Sequence, residues 1–333
     1  MTYYTMRKRI LPLLLIGLST VIGGFTVSAA PHVGDASGVA APFTQDASKP
    51  SRRGGMAVET DSAVLSAIRE GASKFTQHTY TDPKTGISLD YNLYIPTDYL
   101  PGRTYPLVMY IPDATAAGKS AAEIVRQYYG ADVWVTKSAQ EQHPAIVVVP
   151  AYPTVAVDDN WNTSKEVGIT TDMLRQIASE YPVDTHRIYT TGQSMGCMIS
   201  LYLMSKYPDF FAAGLFVSGQ WDPTVLQPLA SQKFFYITAG GDEKASGGQD
   251  QVMDLLKKNG TGYSYGTWSA QDAPDIQNAA VRALIREGHG ANMIRFSTGS
   301  VLKDGNTMEH MASFNYAYKL NAVRDWLFAQ ERK

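Results

Sequence analysis

A series of short, uninterrupted apolar runs sets the strongest limit on how this chain can fold. They are Leu107-Val108-Met109-Tyr110-Ile111, Ala145-Ile146-Val147-Val148-Val149, Arg187-Ile188-Tyr189-Thr190-Thr191, Leu215-Phe216-Val217 and Phe234-Phe235-Tyr236-Ile237. A strand with one wet face alternates polar and apolar residues. A strand covered on both faces does not, and reads as a continuous run. Between the runs lie stretches with helical spacing: Ala121 to Gln127, Thr171 to Glu180 (with Met173, Leu174 and Ile177 on one side), Met195 to Lys206, and Gln249 to Lys258. Strand–helix alternation of this kind builds a mostly parallel sheet with helices on both faces. One segment differs. Ile87, Leu89, Tyr91, Leu93 and Ile95 alternate with Ser88, Asp90, Asn92 and Tyr94, the period of a half-buried antiparallel strand. A candidate strand, Phe75 to Thr81, and the turn residues Asp82-Pro83-Lys84-Thr85-Gly86 precede it, so the sheet is expected to open with a hairpin. A short helix capped by Asp61 or Ser62 is expected before the hairpin. One helix from Ala312 to Gln330 should close the chain, with Phe314, Ala317, Tyr318, Leu320, Val323, Trp326 and Leu327 as its core face.

The N-terminal part has a different character. Arg7, Lys8 and Arg9 precede an apolar stretch from Ile10 to about Val21, and Val27-Ser28-Ala29 is a small-residue cleavage motif. This is the pattern of an export signal over residues 1–29. The apolar stretch is shorter than the ~20 residues of a spanning helix, so no stable membrane anchor is expected. Residues 30–58, rich in Ala, Ser, Gly, Pro and Asp, read as a linker or pro-segment, and 59–333 as the folded catalytic domain. Cys197 is the only cysteine, so no intrachain disulfide can form, and the expected location is secreted or periplasmic. A net charge of −2 provides no global basic field, and no nucleic-acid partner is expected. There is no H-E-x-x-H, no paired-cysteine spacing and no P-loop, so neither metal nor cofactor is expected.

Gly192-Gln193-Ser194-Met195-Gly196 matches G-x-S-x-G. The pentapeptide fixes only three positions, but its setting adds to it. An apolar run ends at Thr191, and a helix of small and apolar residues begins at Met195. Strand, sharp turn and helix are what a nucleophile elbow needs. The turn lifts the serine above the carboxyl end of the sheet, the glycines let neighbouring backbone come close, and the amide of Met195 can face a developing oxyanion.

Pro106 to Ile111, Arg187 to Gly196 and the closing Trp326-Leu327-Phe328 together resemble secreted α/β-hydrolases described as predicted peptidases, relatives of feruloyl esterases and polyhydroxybutyrate-depolymerase-like esterases. The resemblance runs from about Ile87 to the C-terminus. It implies the α/β-hydrolase fold, a Ser-Asp-His triad in that chain order and hydrolysis of esters. Ser194 would be the nucleophile. The base would lie after the last core strand and before the final helix. Of the six histidines only His289 and His310 come late enough, and His310, in the polar loop before the final helix, is the preferred one. Gly240-Gly241-Asp242-Glu243 follows the strand from Phe234 to Ala239. The family places an aspartate there, which favours Asp242, with Glu243 beside it and Asp222 as a third carboxylate. The family's His-Gly-x-Gly falls on Pro112-Asp113-Ala114-Thr115 in this chain. The amide of Ala114 would then be the second oxyanion donor, and Asp113 would oppose the oxyanion if its charge faced it.

Trp221 follows the strand after the nucleophile helix and is the aromatic expected to line a pocket for aryl or polymeric esters. A helix within Gln271 to Ala291, lying between the acid and the base, is expected to form a wall of the cleft. Three functions are compatible with these residues: a carboxylic ester hydrolase, a serine peptidase using the same groups, and a non-catalytic binding module of the same fold, which Pro112-Asp113 would favour.

Overall fold

A computed structural model of the chain describes residues 61–97, 99, 100, 102–303 and 305–332. The expected export signal (1–29) and linker (30–58) lie outside the described residues. The strands are β1 (Thr76–Thr81), β2 (Ser88–Tyr94), β3 (Tyr105–Ile111), β4 (Ile146–Ala151), β5 (Val183–Gln193), β6 (Ala213–Val217), β7 (Phe234–Ala239), β8 (Tyr263–Trp268) and β9 (Ala291–Phe296). They form one sheet in the order β1-β2-β4-β3-β5-β6-β7-β9-β8. β1 pairs with β2 and β2 with β4 in antiparallel register, and every other pairing is parallel. The fold is that of an α/β-hydrolase, with the opening hairpin in place.

The helices are α1 (Ser62–Ala72), three short ones, α2 (Ala121–Ile124), α3 (Tyr129–Asp132) and α4 (Lys137–Gln142), then α5 (Lys165–Glu180), α6 (Met195–Lys206), α7 (Glu243–Lys258), α8 (Pro274–Arg286), α9 (Glu309–Tyr318) and α10 (Asn321–Phe328). Alternate residues of one strand serve opposite faces. In β3, Leu107, Met109 and Ile111 join the core under α5, α6 and α7, whereas Val108 and Tyr110 join the core under α3, α8, α9 and α10. All seven residues of β3 are buried, which is why its sequence does not alternate. No described helix is long and apolar enough to cross a membrane.

Three expectations change. β2 alternates only through Tyr91. Asn92, Leu93 and Tyr94 are all buried, because the start of α2 covers this end, where Asn92 Nδ2 donates to the carbonyl of Ala121 at 2.8 Å. The single C-terminal helix is two helices, α9 and α10, parted at Lys319 and Leu320. The break is satisfied from outside: Asn278 Oδ1, on α8, accepts the N–H of Ala322 at 2.7 Å, and the Arg324 guanidinium donates to the Tyr318 carbonyl and to Asn321 Oδ1. The expected core-face residues are buried nonetheless. Finally, α8, expected as a wall of the cleft, has a structural task. It is the crossover that joins parallel strands β8 and β9, and it buries Val281 and Leu284 in the core shared with α10. Parallel neighbours require such a return connection.

Candidate active site

The sheet order places β5 at the centre, with β3 on one side and β6 on the other. The chain runs outward from β3 to β4, then crosses back to β5. Ligands of open α/β sheets bind at the carboxyl ends of strands where the order reverses in this way. Ser194 stands there, between β5 and α6.

The backbone at Ser194 has φ 50° and ψ −115°. A side chain in this conformation carries roughly 1–3 kcal/mol of strain, which the surroundings must hold. They do so by contact and by hydrogen bonds. The N–H of Ser194 donates to the Val217 carbonyl at 2.9 Å, and its own carbonyl accepts from Met198. The two motif glycines face one another: a Cβ on Gly192 would lie 2.4 Å from the Gly196 carbonyl carbon, and one on Gly196 would lie 1.9 Å from the Ile111 carbonyl oxygen. Gly219 closes the third side, since a Cβ there would lie 2.6 Å from the Ser194 carbonyl oxygen. A G-x-S-x-G spacing is required because backbone occupies the space that Cβ atoms would take.

Asp242 ends the loop after β7 and caps α7. Its Oδ1 accepts the N–H of Ala245 at 3.3 Å, and its Oδ2 lies 2.6 Å from His310 Nδ1. A carboxylate this close accepts only, so Nδ1 carries the proton and Nε2 is left with its lone pair. That lone pair faces Ser194 Oγ at 2.8 Å. The side chain of Asp242 is 6% exposed and that of His310 29%, so the acid is shielded from water while the histidine opens toward it. The structure therefore brings Ser194, His310 and Asp242 into one hydrogen-bonded line.

The alternative residues lie elsewhere. Glu243 is exposed in the first turn of α7. Asp222 caps the short 3-10 turn Pro223–Val225 through the N–H and hydroxyl of Thr224. His289 precedes β9, at the opposite edge of the sheet, with its ring against Gly262. Cys197, one turn after Ser194, is buried, and burial pushes its thiol well above the usual range, so it holds its proton.

Met195 is the first residue of α6, and Ala114 the first of a 3-10 turn, Ala114–Ala116. The leading N–H groups of a helix have no acceptor within it, so both point outward as donors. The contact between Gly196 and the carbonyls of Ile111 and Pro112 brings the two segments together. Asp113 does not face Ser194 as a free charge. It is 2% exposed; its Oδ1 accepts the N–H (2.8 Å) and hydroxyl (2.5 Å) of Thr115, and its Oδ2 accepts Gln193 Nε2 at 2.8 Å. Gln193 Oε1 in turn accepts the hydroxyl of Tyr110 at 2.9 Å. Asp113 is thus the cap of the turn that carries Ala114. Neither Gln193 nor Tyr110 carries a signal in the sequence that would single it out for this network.

Trp221 does not present a ring face to a cleft. It is 3% exposed and fills the space between Trp161 and Tyr202, each with its ring centre 5.5 Å away. The aromatic surface on this rim belongs to Trp161, 37% exposed, at φ 66° on the loop between β4 and α5. Asp158 shapes that loop, its Oδ1 accepting the N–H groups of Asn160 and Asn162. Asp159 ties it to the neighbouring loops through Gln220 Nε2 (3.0 Å) and Lys244 Nζ (2.6 Å).

A family model described as "Putative esterase" matches residues 83–295, which include Ser194 and Asp242. The chain belongs to this esterase family. Among curated proteins it is similar to acetylxylan esterase A of Aspergillus ficuum, 31% identical over 102 residues that make up 28% of this chain and 32% of that protein. It is also similar to feruloyl esterase B of Talaromyces funiculosus, 30% identical over 131 residues, 36% of this chain and 35% of that protein. The chain spans about a third of the length of these curated relatives, 32% and 35%. Among solved structures it resembles a thermostable esterase, with a TM-score of 0.61 at 23% identity over 79% of this chain and 64% of that one. It also resembles the feruloyl esterase module of Clostridium thermocellum complexed with sinapinate, with a TM-score of 0.51 at 15% identity over 75% of this chain and 86% of that one. At these identities the structural matches establish the fold.

Proposed function

We propose that this member of the esterase family is a secreted serine hydrolase that cleaves carboxylic esters through an acyl-enzyme intermediate, with Ser194, His310 and Asp242 as its catalytic triad. The observation that carries the reading is the line Asp242 Oδ2–His310 Nδ1–His310 Nε2–Ser194 Oγ, with 2.6 and 2.8 Å at its two hydrogen bonds. A serine hydroxyl is a weak nucleophile until a base takes its proton. His310 Nε2 takes it as Ser194 Oγ attacks the ester carbonyl, and Asp242 stabilises the imidazolium that results. The developing oxyanion is met by the N–H groups of Met195 and Ala114. Collapse of the tetrahedral intermediate returns the proton from His310 to the leaving alcohol. Water, activated by the same histidine, then releases the acid. Acetylated xylan and feruloyl esters are the substrates that the names of the relatives suggest.

Labelling with a fluorophosphonate tests the triad. The wild type should be labelled, and Ser194→Ala should not be. A wild type that takes no label, or equal labelling of Ser194→Ala, would refute it. Turnover of p-nitrophenyl acetate and methyl ferulate then tests the ester reading, which a preference for amide substrates over both would defeat. Loss of any triad member should lower kcat by several orders of magnitude, ~10⁴–10⁶-fold.

A further inference from the structure

Glu309 directly precedes His310 and is the first residue of α9. Its carboxylate spans two other loops. Oε2 accepts the N–H of Gly241 at 2.8 Å, and Oε1 accepts the N–H of Gly299 at 2.7 Å. Gly241 is the residue before Asp242, and Gly299 lies in the loop that follows β9. The fit is close: a Cβ on Gly241 would lie 2.2 Å from Glu309 Oε1, so only glycine leaves room for the carboxylate. One side chain thus joins the loop that carries the acid to the helix that carries the base.

The joint has a purpose that the triad alone does not serve. Asp242 and His310 come from segments 68 residues apart, and Ser194 from one 116 residues before His310. Their hydrogen bonds require the β7 loop and the start of α9 to keep one relative position. Behind the imidazole, Ser313 Oγ donates to the His310 carbonyl at 2.8 Å and lies 2.7 Å from Ser218 Oγ, which anchors α9 to the end of β6. Nothing in that contact touches the acid loop. Glu309 does, through hydrogen bonds that its charge strengthens. Its negative charge also lies in the first turn of α9, where the helix dipole favours it.

We infer that Glu309 is a positioning residue of the triad: it holds the Asp242 loop in register with His310. The inference rests on the proposed roles of Ser194, His310 and Asp242. A misplacement of the order of 1 Å in such a constellation can cost ~10²-fold in rate.

The test uses Glu309→Ala and Glu309→Gln in the full chain, with p-nitrophenyl acetate as substrate and both kcat and KM measured at neutral pH and at a temperature well below each melting point. Glu309→Ala should lower kcat by about ten- to hundred-fold with KM within about twofold. Glu309→Gln keeps one acceptor oxygen and should lose less. An unchanged kcat in Glu309→Ala overturns the inference. So does a loss of kcat that is equal in Glu309→Gln and Glu309→Ala, or one matched by a change of the same size in KM, which would mark a merely structural role. A wild type that takes no fluorophosphonate label defeats the triad itself. A labelled wild type with an unaltered Glu309→Ala defeats only the role of Glu309.

Discussion

Asp132, at the end of α3, is fully buried, and neither of its carboxylate oxygens has a hydrogen-bond partner among the described residues. Its side chain packs on Gly71 of α1, where a Cβ would lie 2.4 Å from Oδ1. With no cation or donor among the described residues to support the charge, burial raises its pKa from 3.8 to about 9. The folded state therefore holds a proton that the unfolded chain releases above 3.8. Its contribution to stability is therefore greatest below pH 3.8 and is lost steadily as pH rises toward 9. At ~1.4 kcal/mol per pH unit, the cost reaches about 4 kcal/mol at pH 7. Asp132→Asn keeps the shape of the protonated acid and removes the titration. It should be more stable than the wild type by up to about 4 kcal/mol at pH 7 and by less than about 2 kcal/mol at pH 5. Urea unfolding of both proteins at pH 5, 6, 7 and 8 measures the difference, in which the titration of every other group cancels. A difference that stays flat across this range, or a variant less stable than the wild type at pH 7, would show that Asp132 is ionised and paired, and the reasoning would fail.

Two other changes test the site. Gly196→Ala places a Cβ 1.9 Å from the Ile111 carbonyl oxygen, in backbone that cannot give way, so the melting temperature should fall by the equivalent of roughly 1–3 kcal/mol and fluorophosphonate labelling of Ser194 should slow sharply; labelling at the wild-type rate would refute the close-approach account of the glycine. Asp113→Ala removes the cap of the Ala114 turn and the acceptor of Gln193, and should cost ~1–2 kcal/mol in urea unfolding. If the amide of Ala114 serves the oxyanion, kcat on p-nitrophenyl acetate should fall in the same variant by up to ~10²-fold, with KM nearly unchanged; an unaltered kcat would remove Ala114 from the oxyanion hole.

Much of this architecture is legible in the sequence because its causes are local. The unbroken apolar runs become the buried parallel strands β3 to β7, since burial on both faces removes the reason to alternate. The spacing of Gly192, Ser194 and Gly196 between a strand and a helix is itself the geometry of the tight turn. What the tertiary structure decided depends on contacts between distant segments. Asp242 and Glu243 are adjacent in the chain, and only the cap of α7 determines that Asp242 turns toward His310 while Glu243 stays in solvent. The sequence sets the charge of Asp113 beside the oxyanion loop, and only the fold brings it Gln193, 80 residues away, as a partner. The position of Trp221 after β6 points to a pocket, but Trp161 and Tyr202 enclose it. The closing helix breaks at Lys319 because α8 supplies an acceptor for the start of α10. Glu309 has no pattern of its own, because its two partners are backbone N–H groups and any residue carries those. Periodicity and turn chemistry act over a few residues and are written in order along the chain. Hydrogen bonds that span tens of residues exist only once the sheet has brought its loops to one edge.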